Sequence, residues 1–209
     1  MELYVSEFSR YVMALLITLY TYECFAVFRY DDEDQRKGIY LRQNLLMFAF
    51  HFSCFLVICF ETGDITYLFF YAFQEIMLYA VIMLFRMLYP KSNRLVVNNM
   101  CMLLAIGFVI LTRLDFSKAV KQFFIATGSM GIALLVPLFI RKFKFLKSLK
   151  WLYALGGIFA LSIVMILGQT TYGSKLSYSI AGITFQPSEF VKIVFVFFVA
   201  SALYEAGGF

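Results

Sequence analysis

What most constrains this chain is a recurrence of continuous apolar runs, each close to the length of a bilayer crossing. Seven can be drawn: Tyr11–Phe28, Asn44–Phe60, Tyr67–Phe85, Val96–Leu111, Phe123–Ile140, Trp151–Leu167 and Phe190–Leu203. A helix needs about 20 mostly apolar residues to cross the hydrocarbon core. Several runs fall a little short, and flanking Tyr, Trp and polar residues extend them into the interface. The runs are continuous rather than alternating, so they predict helices and not the strands of a membrane barrel. The expected fold is all-α, a polytopic transmembrane helical bundle of about seven spans. Composition removes the rival classes. Hydrophobic residues make up 62% of the chain and charged residues 15%. That is too apolar for disorder and leaves too few polar groups to cover a soluble globule.

The charges sit between the runs, and their sign orders the topology. Twelve of the eighteen Lys and Arg lie in the connections after the first, third and fifth runs, including the stretch from Arg141 to Lys150. Five lie on the other side: Arg10, Arg113, Lys118, Lys121 and Lys175. Lys192 falls inside the last run. The positive-inside rule puts the twelve in the cytoplasm, so the N-terminus and the 168–188 loop are predicted to be extracellular. This arrangement accounts for the basic pI without nucleic acid, and the basic loops favour anionic membrane lipids. Glu2 and Glu7 stand where a signal peptide would carry basic residues, so the first run reads as a retained helix.

Cys24, Cys54, Cys59 and Cys101 all lie in apolar runs with no CxxC pair, and His51 is the only His. They read as buried small hydrophobes, with no disulfide framework and no metal site expected. Ionisable residues at membrane depth are costly and face protein or water. Four qualify: Glu23, His51, Glu75 and Lys192. Glu23 is near a span end and can snorkel. His51 and Glu75 are nearer mid-span, where they either pair across helices or serve a transport or proton-relay role.

The most informative stretch is Gly173 to Lys192, GSKLSYSIAGITFQPSEFVK. It begins polar, with Gly173 and Gly182 allowing turns in a long, flexible outer loop. Pro187 disfavours helix at Gln186. Ser188 is a candidate N-cap, with a helix starting at Glu189. A carboxylate in the first turn suits the helix dipole, and Lys192, three residues on, shares its face. The residues alone describe a capped helix start with a local ion pair.

That stretch, with its Phe-Gln-Pro-Ser-Glu and a Lys three further on, resembles the signature of the SEDS family. This is the FtsW, RodA and SpoVE group of peptidoglycan glycosyltransferases. Upstream, Met102–Leu111 followed by Thr112-Arg113-Leu114 looks like the family's first core span, and Ala119–Gln122 like the entry to its second. The resemblance covers about Val96 to the end. It implies two parts: residues 1–95 as an accessory three-span segment, and 96–209 as the first four spans of a SEDS-like core. Leu176 and Ser177 depart from the family, which often has a basic residue and Trp there. The family core has about ten spans, and its catalytic Asp lies in the second half, so no position here corresponds to it and the chain looks incomplete.

The resemblance implies a membrane lipid II polymerase of the bacterial cytoplasmic membrane, acting in division, elongation or sporulation. Substrate-binding residues would be Gln186, Pro187, Ser188, Glu189 and Lys192, with Arg113 and Lys121 on the same predicted outer face. The leaving group would be undecaprenyl diphosphate and the family partner a class B penicillin-binding protein. No cofactor is implied, although a divalent cation could assist. Two other readings stay open: a transporter of lipid-linked precursors, and a non-catalytic membrane scaffold for a cell-wall synthase.

Overall fold

The computed structural model describes residues 2–167, 169–171, 174–180, 183–185 and 187–207. Side chains are described over 7–143, 145–146, 148–163 and 189–207. Seven helices follow one another: α1 (Glu2–Ala26), α2 (Glu33–Thr62), α3 (Thr66–Leu88), α4 (Arg94–Leu114), α5 (Phe116–Lys142), α6 (Lys150–Leu167) and α7 (Pro187–Gly207). Every predicted span lies within one of them, the first ending in the short 3₁₀ turn Val27–Arg29. Among the described residues, six helices are long and apolar enough to cross a membrane, and α6 adds a shorter apolar one. The all-α polytopic bundle is therefore observed.

Local chemistry sets the helix ends. Asp32 caps α2, accepting from the Asp34 amide, and Glu33 and Asp34 place negative charge in its first turn. Gly63 ends α2 in the left-handed region at φ 68°, with its N–H on the Cys59 carbonyl. The Asn93 side chain caps α4 through the amides of Leu95 and Val96. Asp115 serves two helices. Its N–H closes α4 on the Leu111 carbonyl, and its carboxylate accepts from the Lys118 amide at 3.0 Å to open α5. One residue thus reverses the chain between two spans. Pro137 lies inside α5, which membrane helices tolerate better than soluble ones.

The chain divides into two compact units, Met1–Leu134 and Leu135–Phe209, meeting within α5. This is a division by packing, and it leaves the expected 1–95 and 96–209 parts untested. In the first unit, α1 to α4 and the start of α5 pack around Met47, Phe50, Cys54, Leu78, Cys101, Ala105 and Phe108. Cys101 and Ala105 have no exposed surface, as expected where small side chains let helices approach. A second cluster joins Phe55, Phe70 and Ala119, with the Phe70 and Phe116 rings edge to face at 5.3 Å. The four cysteines are free thiols.

In the second unit, α6 and α7 pack together, and the Lys150 ammonium pairs with the Glu205 carboxylate. The connection between them differs from the flexible loop expected. It holds a three-stranded antiparallel sheet in the order β1-β2-β3: β1 (Gln169–Thr171), β2 (Ser174–Ile180) and β3 (Ile183–Phe185). Tyr178 pairs with Phe185, Ser179 with Thr184 and Ile180 with Ile183. The segment alternates polar residues with strand-favouring Tyr, Ile, Thr and Phe, a pattern suited to a pleated surface. Charge and glycine content drew the reading toward a loop. Gly173, Gly182 and Gln186 lie outside the described residues.

Candidate functional site

The sheet feeds directly into α7, which starts at Pro187 rather than at Glu189. Proline is pre-organised for the first helical position, where its missing N–H costs nothing. Ser188 is therefore inside the helix and not its cap. Glu189 remains in the first turn, where the dipole favours it. Lys192 donates to Glu189 Oε1 at 2.7 Å. Both side chains are well exposed within their unit, 70% for Lys192 and 62% for Glu189. The ion pair is as expected, and it commits one carboxylate oxygen and one of the three ammonium protons. The side chains of Pro187 and Ser188, like Gln186, lie outside the described residues.

Arg113 and Lys121 belong to the other unit. Arg113 Nη2 lies 3.2 Å from Glu61 Oε2, tying the end of α4 to the end of α2. Lys121 is exposed on α5. Between them, Lys118 Nζ sits 3.1 Å from Asp115 Oδ2. The Lys118 amide and ammonium together hold the Asp115 carboxyl below the usual carboxylate range. Asp64, in the turn between α2 and α3, is likewise lowered by its hydrogen bonds to Thr66. The bonds that hold each carboxylate favour its ionised form and so make it a weaker proton acceptor.

Deep in the first unit the structure brings together two residues that the sequence singled out. His51 is wholly buried on α2 and bonds Glu75 Oε1 on α3 through Nδ1 at 3.1 Å. Its Nε2 lies 3.0 Å from Gln74 Oε1. The Phe55 and Tyr71 rings close round the imidazole at 5.0 and 5.2 Å. His51 is eleven residues from the end of α2 and Glu75 nine from the start of α3, so they lie ~13–17 Å along their helices, near mid-membrane. With Gln74 turned this way both ring nitrogens face oxygens, which an imidazolium satisfies. Rotating that amide lets a neutral ring donate from Nδ1 and accept at Nε2. The same rotation gives Gln74 Nε2, now without a partner, the imidazole as acceptor and turns the amide oxygen to the position that has none.

Nearer the opposite end of the same unit lies a set of polar contacts that sequence reasoning only half found. Glu23 does not simply snorkel. Arg42 grips it with Nε on Oε1 at 2.7 Å and Nη2 on Oε2 at 3.0 Å, a two-bond fork. Gln43 donates to the Glu23 carbonyl at 3.2 Å and accepts from Asn98 at 2.9 Å. Tyr20 and Cys24 both donate to Asn99 Oδ1. The overlooked signal was amide side chains within apolar runs, which need partners in a bilayer as charges do. Among the described residues, no three His, Cys, Asp or Glu side chains gather as a metal site.

Comparison with known proteins places this geometry. A family model described as a cell cycle protein, for FtsW, RodA and SpoVE, matches residues 66–207. That stretch runs from the first residue of α3 through α7, and so includes the sheet and the Glu189–Lys192 pair. Neither the curated proteins nor the solved structures give a match. The family match covers well over half of the chain, and with the apolar helices it makes this a multi-pass membrane protein belonging to the FtsW/RodA/SpoVE, or SEDS, family of cell cycle proteins.

Proposed function

We propose that the protein works in bacterial cell-wall synthesis as part of a lipid II polymerase, with residues 168–192 at the outer membrane face. The observation that carries this reading is the Gly173–Lys192 motif within the family-matched stretch, ending in an exposed acid–base pair at a helix start. Lipid II brings its own leaving group, undecaprenyl diphosphate, so the reaction consumes no nucleotide. The protein's tasks are to position the acceptor sugar, remove its hydroxyl proton and stabilise charge on the departing diphosphate. Lys192 suits the last task. Its two uncommitted N–H donors can reach phosphate oxygens while Glu189 fixes the third. Gln186 and Ser188 would add hydrogen bonds, and Arg113 and Lys121 would attract the anionic headgroup. None of these residues is assigned as the catalytic base, which the family supplies as an Asp from another part of its core. A class B penicillin-binding protein would be the partner.

The test is glycan-strand synthesis from lipid II by the natural full-length protein. Glu189→Ala and Lys192→Ala should each cripple synthesis while membrane insertion is unchanged. Wild-type synthesis by both variants, at equal protein levels, would remove these residues from the site. The mid-membrane His51–Glu75 pair favours a second reading, a transporter of lipid-linked precursors. Loss of substrate movement with intact polymerisation in Glu75→Gln would support it.

A further inference from the structure

The first unit carries a second cluster of charge, separate from the motif. A cleft of about 400 Å³ opens between the start of α2 and the α3–α4 turn. Arg36, Lys37, Lys91 and Arg94 line it against a single acid, Glu33. Two of these cations are occupied. Arg36 donates to the Tyr30 carbonyl at 2.6 Å and lies 3.6 Å from Asp31, and Lys37 is bonded to Asp34 at 2.7 Å. Lys91 and Arg94 have no ion-pair partner among the described residues. Arg94 is also close enough to Lys37 for the two charges to repel. Arg86 lines the small pocket that adjoins the cleft through Pro90, Ser92 and Arg94.

The charges of Lys91 and Arg94 are left over once Arg36 and Lys37 are paired, and an anion bound between them is favoured by that excess. The cleft supplies more than charge. Tyr40 and Ser92 add hydroxyls to its wall, and α4 begins there, with its positive dipole end at Asn93 and Arg94. Its volume is that of a small-ligand site. It opens at helix ends, where the membrane interface lies. Basic pockets between membrane helices at this level recognise anionic headgroups.

We infer that this cleft is a binding site for a phosphate-bearing anion, held by Lys91 and Arg94 and supplied by an anionic lipid headgroup. Arg36 and Lys37, fixed by their own partners, form the opposite wall. Each cation near the surface contributes about 1 kcal/mol toward an anionic lipid, so removing two lowers relative affinity roughly 30-fold.

The experiment is native mass spectrometry of the full chain, released from detergent in equal phosphatidylglycerol and phosphatidylcholine. Wild-type protein should retain phosphatidylglycerol in preference. Lys91→Gln/Arg94→Gln should lose that preference, whereas Arg10→Gln/Lys118→Gln, exposed cations on α1 and α5, should keep it. A matched arm measures thermal stability in phosphatidylcholine with added inorganic phosphate. Phosphate protection that depends on Lys91 and Arg94, with no lipid preference, would keep the site but make its source a soluble phosphate and overturn the lipid assignment. Equal lipid preference in wild type and the Lys91/Arg94 variant, with no phosphate protection in either, would overturn the site. Circular dichroism of the double variant separates these results from a failure to fold.

Discussion

Consider the His51–Glu75 pair under a double-mutant cycle of His51→Leu and Glu75→Leu. His51 has no exposed surface and Glu75 only 18% of its side chain. Removing either partner leaves the other polar in an apolar setting, at a cost of about 1–3 kcal/mol. Removing both leaves neither, so the double variant should be less damaged than the sum of the singles. Measured couplings between polar groups in membrane helices average ~0.6 kcal/mol and reach ~1.7. This pair belongs near the upper end. The ring bonds a carboxylate, is closed in by Phe55 and Tyr71, and has its second nitrogen bonded to Gln74. The expected coupling is therefore about 1–2 kcal/mol. Gln74 also loses a bond in every variant lacking His51, so the cycle is repeated on a Gln74→Leu background. Reversible unfolding in mixed micelles gives each free energy. Singles that add to the double within ~0.3–0.5 kcal/mol would show that the two residues act independently, and the pairing argument would fail.

Four further outcomes are expected. Arg42→Met strands the Glu23 carboxylate, which is only 13% exposed, and should lower stability by about 1–3 kcal/mol in the same assay; Arg42→Lys should recover part of it, since the charge remains and the fork is lost. Phe55→Ala, at a site with no exposed surface, should cost about 3–5 kcal/mol by leaving a cavity beside Phe70 and Tyr71. The Asp115 carboxyl is held below its unfolded value, so its contribution is full above about pH 4, the unfolded carboxylate value, and is lost as pH falls through the lower folded value; Asp115→Asn should flatten this acid limb, read as unfolding free energy against pH. Exchanging Glu189 and Lys192 in one variant should preserve the ion pair yet fail to restore glycan synthesis, because the cation then sits one turn from where the substrate is proposed to meet it.

The helices were legible because bilayer burial demands long apolar runs and leaves little choice of structure within them. The reading of Glu189 and Lys192 as neighbours followed from helical spacing alone, and the 2.7 Å bond agrees. Two things were hidden, for different reasons. The antiparallel sheet between α6 and α7 depends on pairings across a short segment, which alternation suggests only weakly against glycine and polar content. The Gln43–Asn98 and Tyr20–Asn99 contacts join residues more than fifty positions apart. A single Asn in an apolar run shows that a partner is needed but not which helix provides it. The α7 start shifted by two residues because serine's capping preference competed with proline's preference for the first helical position, and proline prevailed.

The two groups of polar residues differ in what they can offer a ligand. In the first unit, His51, Gln43 and Asn98 are buried and bonded to neighbouring helices or to each other. Drawing them to a substrate would break interhelical contacts and leave partners unsatisfied, at about 1–3 kcal/mol for each buried group. Glu189 and Lys192 bond each other within one turn of one helix, both well exposed. Such exposed pairs contribute only ~0.2–1 kcal/mol. A diphosphate offers several acceptor oxygens, so it can take the two uncommitted N–H donors of Lys192 at small cost, with the Glu189 bond kept and helix packing undisturbed. That asymmetry supports the proposal of substrate recognition at the start of α7, with the buried amide and His51 contacts serving helix packing.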